Sequence, residues 1–140
     1  MDPVNELPKF PLFDQLPTML KLYILDFWWD EQKLQALDLP AVTLDVSSLL
    51  WHFELPFWQH SGVPFQVTPR QVWDNPAKYA AQYARTLSSD LACPIVVRLQ
   101  DDRHVIMDGL HRLMKAAIQN NQTIQAKICR EDLFPLIAHE

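Results

Sequence analysis

Ile106-Met107-Asp108-Gly109-Leu110-His111-Arg112-Leu113 is the stretch on which the fold turns. His104-Val105-Ile106-Met107 reads as a strand, and Pro94-Ile95-Val96-Val97-Arg98-Leu99 before it as another. The polar turn Gln100-Asp101-Asp102-Arg103 joins them into a hairpin. After the box, Leu110, Leu113, Met114, Ala117 and Ile118 recur at the spacing of one helix face, which predicts a helix from Gly109 to about Asn120 capped by Asp108. Asn120-Asn121 ends it, and Thr123 to Cys129 alternates with period two as a half-buried strand does. Upstream, Tyr79, Ala80, Tyr83, Ala84 and Leu87 form an apolar stripe opposite Lys78, Gln82 and Arg85, predicting a helix over roughly 76–88. The order helix, strand, strand, helix, strand implies an α+β (α/β-like) fold with a mixed β-sheet packed by helices.

Farther out the pattern is less regular. Thr68-Pro69 is an N-cap followed by a first-turn proline, with a short helix through Trp73. Asn75-Pro76 repeats that signal. Residues 51–68 hold Trp51, Phe53, Phe57, Trp58 and Phe65 among prolines, and read as a long irregular segment wrapping the core. Ala41 to Val46 reads as a strand and Ser47 to Trp51 as a helical turn. Residues 1–39 form a Pro- and aromatic-rich N-terminal extension to a domain over 40–140. Within the extension Asp30-Glu31 is a helix start with Leu34 and Leu37 at helical spacing, and Arg130 to Ile137 is a last short helix.

Composition narrows the function classes. The 140 residues are one domain's worth. With only Gly62 and Gly109, the chain has neither a Gly-rich dinucleotide fingerprint nor a Walker-type phosphate loop. The net charge of -5 argues against broad binding to a nucleic-acid backbone, and with no helix-turn-helix segment after the box sequence-specific DNA binding is not expected. Cys93 and Cys129 make no C-x-x-C pair and read as reduced or core thiols. Met1 to Glu6 does not look like a secretory signal, and no run of eighteen apolar residues suggests a membrane span, so a cytoplasmic location is expected. His52, His60, His104 and His139 lack paired metal spacing and read as surface or capping histidines.

The box itself carries the candidate chemistry. The first N–H groups of a helix lack internal partners, and together with the helix dipole they favour an anion. Gly109 has no Cβ to keep a phosphate oxygen away. Arg112 offers a planar fork for phosphate or carboxylate, with Lys115 one turn after His111. His111 could donate a hydrogen bond or a proton, and Asp108 could hold a magnesium ion beside a phosphate. The same residues also read as a plain helix start, with Asp108 as cap and His111, Arg112 and Lys115 as a solvated face.

From Ala41 to Cys129 the chain resembles the ParB-like (ParB/sulfiredoxin) superfamily. The matching features are the opening strand at Val42–Leu44, Val67-Thr68-Pro69, Pro94 to Val97 with its hairpin, the Asp-Gly-x-His-Arg box, and the closing strand at Ile124–Ile128. In that family the box binds nucleotide phosphates. The resemblance therefore implies a nucleotide or phosphate site at Gly109, Leu110, His111, Arg112 and Lys115, with His111 and Asp108 as catalytic candidates. It implies a nucleoside tri- or diphosphate with Mg2+ held at Asp108. Leu110 stands where sulfiredoxins have their cysteine, which excludes that chemistry through this residue. Lys115 stands where ParB has alanine. Asp45 and Glu54 are candidates, by residue type alone, for a kinase-type carboxylate. Two functions follow as expectations. One is a stand-alone nucleotide-binding domain, as a phosphotransferase or nucleotide hydrolase acting on a small molecule. The other is a non-catalytic regulatory or protein-interaction module that uses its aromatic residues to dock a partner or form a homodimer.

Overall fold

The computed structural model describes residues 7–139. The Met1–Glu6 stretch, read above for signal character, lies outside them. The chain is α+β, with a mixed four-stranded sheet and a separate two-stranded one.

A 3₁₀ turn (Phe13–Gln15) opens the described chain, and two short helices follow, α1 (Thr18–Lys21) and α2 (Glu31–Ala36). Asp30 caps α2 as its sequence predicts, its Oδ1 accepting from the backbone N–H of Gln32 at 2.8 Å and Lys33 at 3.3 Å. Strand β1 (Ala41–Asp45) follows, then a 3₁₀ helix (Val46–Glu54). In a 3₁₀ helix residues three apart eclipse, so Val46, Leu49 and His52 share one buried face, with Phe53 beside them.

Residues 55–68, expected to be irregular, instead fold into a hairpin of β2 (Trp58–His60) and β3 (Val63–Val67). Ser61 and Gly62 both have positive φ, as tight hairpin turns require. A bulge disrupts the β2–β3 pairing between Trp58–Val67 and His60–Val63. Periodicity could not reveal this hairpin because the bulge breaks the alternation.

Helix α3 (Pro69–Asp74) has the predicted Thr68 cap, completed by Gln71 into a capping box. Helix α4 spans Ala80–Ser88, starting later than Asn75-Pro76 suggests. Its buried face also differs from expectation: Gln82 and Thr86 are buried while Leu87 is half exposed. The reason is a hydrogen-bond partner for each polar group. Gln82 donates to the Gln59 carbonyl at 3.0 Å, and Thr86 donates to the Gln82 carbonyl at 3.1 Å.

Then come β4 (Ile95–Gln100), β5 (Arg103–Asp108), α5 (Leu110–Ile118), β6 (Thr123–Ile128), a 3₁₀ turn (Glu131–Leu133) and α6 (Phe134–Ile137). The hairpin turn carries Asp101 and Asp102 at positive φ. Helix α5 ends with Asn120 at φ 60°, the Asn121 N–H reaching the Ala116 carbonyl at 2.9 Å.

The large sheet has the order β1-β6-β4-β5. β6 pairs antiparallel with β1 and parallel with β4, while β4 and β5 are antiparallel. The parallel pair needs a long crossover, and α5 lies within it. Ile95, Val97, Ile124 and Ala126 join Leu113, Met114 and Ala116 in one buried cluster with the 3₁₀ helix, α3 and Trp58. Val96 and Cys129 join a second cluster with Phe27, Leu34, Leu39, Phe134 and Ile137. Residues 7–39 thus supply core to the sheet. Cys93, by contrast, is exposed.

Candidate functional site

The register of β4 against β5 shifts immediately before the box. Val97 pairs with Ile106, but Val96 pairs with Asp108, leaving Met107 as the extra residue. Such a bulge re-aims the following side chain. Without it Asp108 would share the face of Ile106; with it Asp108 sits opposite Val96, on the side of the sheet covered by α2.

There Asp108 Oδ2 accepts from Arg112 Nη2 at 2.8 Å and from Gln35 Nε2 of α2 at 3.1 Å. Both members of the Asp108–Arg112 ion pair are largely buried. Arg112 Nη1 also donates to the Pro94 carbonyl at 2.6 Å and the Cys93 carbonyl at 3.1 Å. One guanidinium therefore ties the start of α5 to the end of β5 and to the loop before β4. Glu31 of α2 lies against this pair, and the negative charge of Asp108 raises its carboxyl above the ordinary range, with burial adding to the effect.

Asp108 and Arg112 line a cleft of about 420 Å³ with Gln35, the Ser89–Pro94 loop and Lys127 of β6. That volume is within the range of small-molecule pockets. Among the described residues the Lys127 ammonium has no ion-pair or hydrogen-bond partner, although the residue's backbone belongs to the β6 ladder. It is the cation of the cleft that the fold does not use internally. Sequence reasoning passed over it, although the alternation of β6 separates Thr123, Gln125 and Lys127 from buried Ile124 and Ala126.

Other box residues lie elsewhere. Asp108 does not cap α5; Gly109 holds the cap position, at φ 111°. A Cβ on Gly109 would stand 2.6 Å from the Ile95 Cγ2, so the glycine answers to packing against β4 as well as to its left-handed backbone. Leu110 packs against the larger core cluster. His111 and Lys115 are not a solvated face. Lys115 Nζ donates to the Ser89 carbonyl at 2.6 Å, fastening α5 to the end of α4. His111 stacks on Trp58 at 4.2 Å between ring centroids and donates from Nε2 to Gln82 Oε1 at 2.8 Å. Burial first, then the positive charges of Arg85 and Arg112, push the His111 pKa down to about 4, so it is neutral at pH 7. Neither His111 nor Lys115 lines the cleft.

In this structure Asp108 is paired with a guanidinium rather than open to a magnesium ion. The oxygen Oδ2 already accepts from a guanidinium whose charge opposes a divalent ion. Among the described residues no group of three His, Cys, Asp or Glu side chains converges on one point. Asp45 lines a different cleft, with Asn120 and Asn121 at the far end of α5, and Glu54 pairs with Arg70 at 3.3 Å. Neither joins the box.

His52 proves to be buried rather than a surface residue. Its Nδ1 donates to the Leu49 carbonyl at 2.7 Å, and its Nε2 accepts from the Ile106 N–H at 3.0 Å. It thus satisfies a backbone donor of edge strand β5. Burial lowers its pKa to about 4. No helix among the described residues is long and apolar enough to cross a membrane. No protein-family model, curated protein or solved structure matches the chain.

Proposed function

We propose that the chain is a ligand-binding domain whose cleft between α2, the 89–94 loop and β6 takes the phosphate end of a small molecule, a nucleotide foremost. The observation that carries this reading is Lys127, a cation without an internal partner on the same cleft as Arg112. An incoming anion would gain Lys127 directly. The remaining N–H groups of Arg112 would add to it. The resemblance of the Asp108–Arg112 box to the ParB-like box supports the same ligand class. Asp108 orients Arg112 in this reading, and His111, neutral and stacked away from the cleft, is a packing residue. Any magnesium arrives on the nucleotide. Phosphoryl transfer or nucleotide hydrolysis would need a base that the cleft does not identify, so binding is the function proposed.

The test is a thermal-shift panel of ATP, ADP, CTP and GTP, with and without magnesium, on wild type and Lys127→Ala, followed by phosphate-release assays. Binding to the native state raises the melting temperature. A shift in wild type that shrinks in Lys127→Ala supports the cleft. No shift at millimolar nucleotide rejects it.

A second reading has its own observation. Arg112, His111 and Lys115 are all bound to their own chain, as in a box kept for stability in a non-catalytic interaction module. That reading expects no nucleotide dependence and a concentration-dependent mass in sedimentation equilibrium, as a homodimer or partner-docking surface would give.

A further inference from the structure

A second cavity, of about 350 Å³, lies between the N-terminal segment, the β2–β3 hairpin and strands β4 and β5. Its lining is mostly aromatic and aliphatic, including Phe27, Trp28, Phe57, Phe65 and Ile106. Arg98 of β4 also lines it and is more than nine-tenths buried. A guanidinium has five N–H donors. Here one bond is made, from Nη2 to the Tyr23 carbonyl. No carboxylate among the described residues pairs with it; Glu131 acts on it only as a more distant charge. The remaining N–H groups are not sealed from solvent, and an anion entering the cavity would offset the burial of this cation better than water does.

The hairpin gives a second, independent sign. Phe65 sits at φ 57°, a backbone region that a bulky side chain rarely adopts, inside the β2–β3 bulge. Bulges and such strained residues recur where a side chain is aimed at a ligand. The other charged residue on the cavity, Glu31, has Gln35, Asp108, Arg112 and Arg85 as its polar and ionic neighbours, not Arg98.

We propose that this cavity binds a small carboxylic acid with a flat apolar body, its carboxylate accepting from the Arg98 guanidinium and its body lying against Phe57, Phe65 and Trp28. The geometry suits a carboxylate because the planar fork presents paired donors, and the aromatic lining rewards a ring. The site is separate from the phosphate cleft and stands or falls without it.

Phenylacetate and indole-3-carboxylate are the probes, with phenylacetamide as the uncharged control, titrated into the whole chain and followed by thermal shift and by tryptophan fluorescence. Wild type should bind the acids at least tenfold more tightly than the amide. Arg98→Met should abolish acid binding without lowering the melting temperature, Arg98→Lys should weaken it severalfold, and Lys127→Ala should leave it unchanged. Equal affinity for phenylacetate and phenylacetamide, no response to either acid at millimolar concentration, or retained binding in folded Arg98→Met would overturn the proposal. The acid–amide comparison needs no variant, so a failure of Arg98→Met to fold leaves the test intact.

Discussion

On one side of the four-stranded sheet, Ile95, Val97, Ile124 and Ala126 meet Leu113, Met114 and Ala116 of α5 in a single buried cluster. On the other side, Val96 and Cys129 are covered by pieces from both chain ends, residues 27–39 and 133–138. The first cover includes a nine-residue helix with an unbroken apolar stripe. The second is built from the six-residue α2 and the four-residue α6. Short elements cannot tile a sheet as a long helix does, and the 420 Å³ cleft opens at Leu34, Val96 and Lys127 on this second side. The 350 Å³ cavity lies at its β5 edge, over Arg98 and Met107. The contrast bears on where to look for function: the α5 side carries the larger core cluster and, at the far end of α5, an open cleft of about 540 Å³ that no Lys or Arg lines, while the side under α2 and α6 holds the cleft with Arg112 and Lys127 and the cavity with Arg98.

The comparison can be broken most sharply by truncation. Leu113→Ala, on the α5 side, should cost about 3–5 kcal/mol, as fully buried leucines do. Leu34→Ala is equally buried but lines the cleft, so its surroundings can relax, and its cost should be nearer about 2–3 kcal/mol. Urea denaturation of the two variants checks this, and equal costs would remove the packing contrast.

Gly109→Ala joins the two sides at the box. The new methyl meets Ile95 at 2.6 Å on a backbone at φ 111°. Overpacking and strain together should cost about 2–4 kcal/mol. A stability within 0.5 kcal/mol of wild type, read from the same denaturation experiment, would show that the backbone there shifts freely.

Acid acts on the α5 side. His52 and His111 have folded-state pKa values lowered from 6.5 to about 4. Between those values the unfolded chain binds more protons, so stability is fully present above about pH 6.5 and is lost as pH falls toward 4. For His52 the loss is on the order of 3 kcal/mol. Melting temperature should fall between pH 6.5 and 5, and His52→Gln should flatten that slope. A melting temperature that stays level over this interval would contradict the buried, neutral imidazoles.

How much of this was legible in the sequence follows the same division. Helix α5, the β4–β5 hairpin, β6 and the Asp30 and Thr68 caps were readable because each rests on local periodicity or capping chemistry. The buried face of α4 was not, because Gln82 gains its place from partners on β2 and α5, far away in sequence. The β2–β3 hairpin was hidden by its bulge. The box was visible as residues, but its geometry depended on the Met107 bulge, which turns Asp108 toward Gln35, and no pattern in the sequence marks that bulge. Lys127 and Arg98 looked like ordinary strand residues because their significance lies in what the N-terminal segment leaves uncovered.

The smallest expected effect on stability belongs to the residue on which the proposed nucleotide binding most directly rests. Lys127→Ala should change stability by less than about 0.5 kcal/mol, since no side-chain ion pair or hydrogen bond is lost. Isothermal titration of ADP into wild type and Lys127→Ala at fixed ionic strength is therefore the most direct measurement. The account predicts saturable binding to wild type that weakens about tenfold in the variant, the loss of one charge-assisted contact being worth about 1.4 kcal/mol. Identical titrations for the two proteins, or no binding to wild type at millimolar ADP, would contradict it.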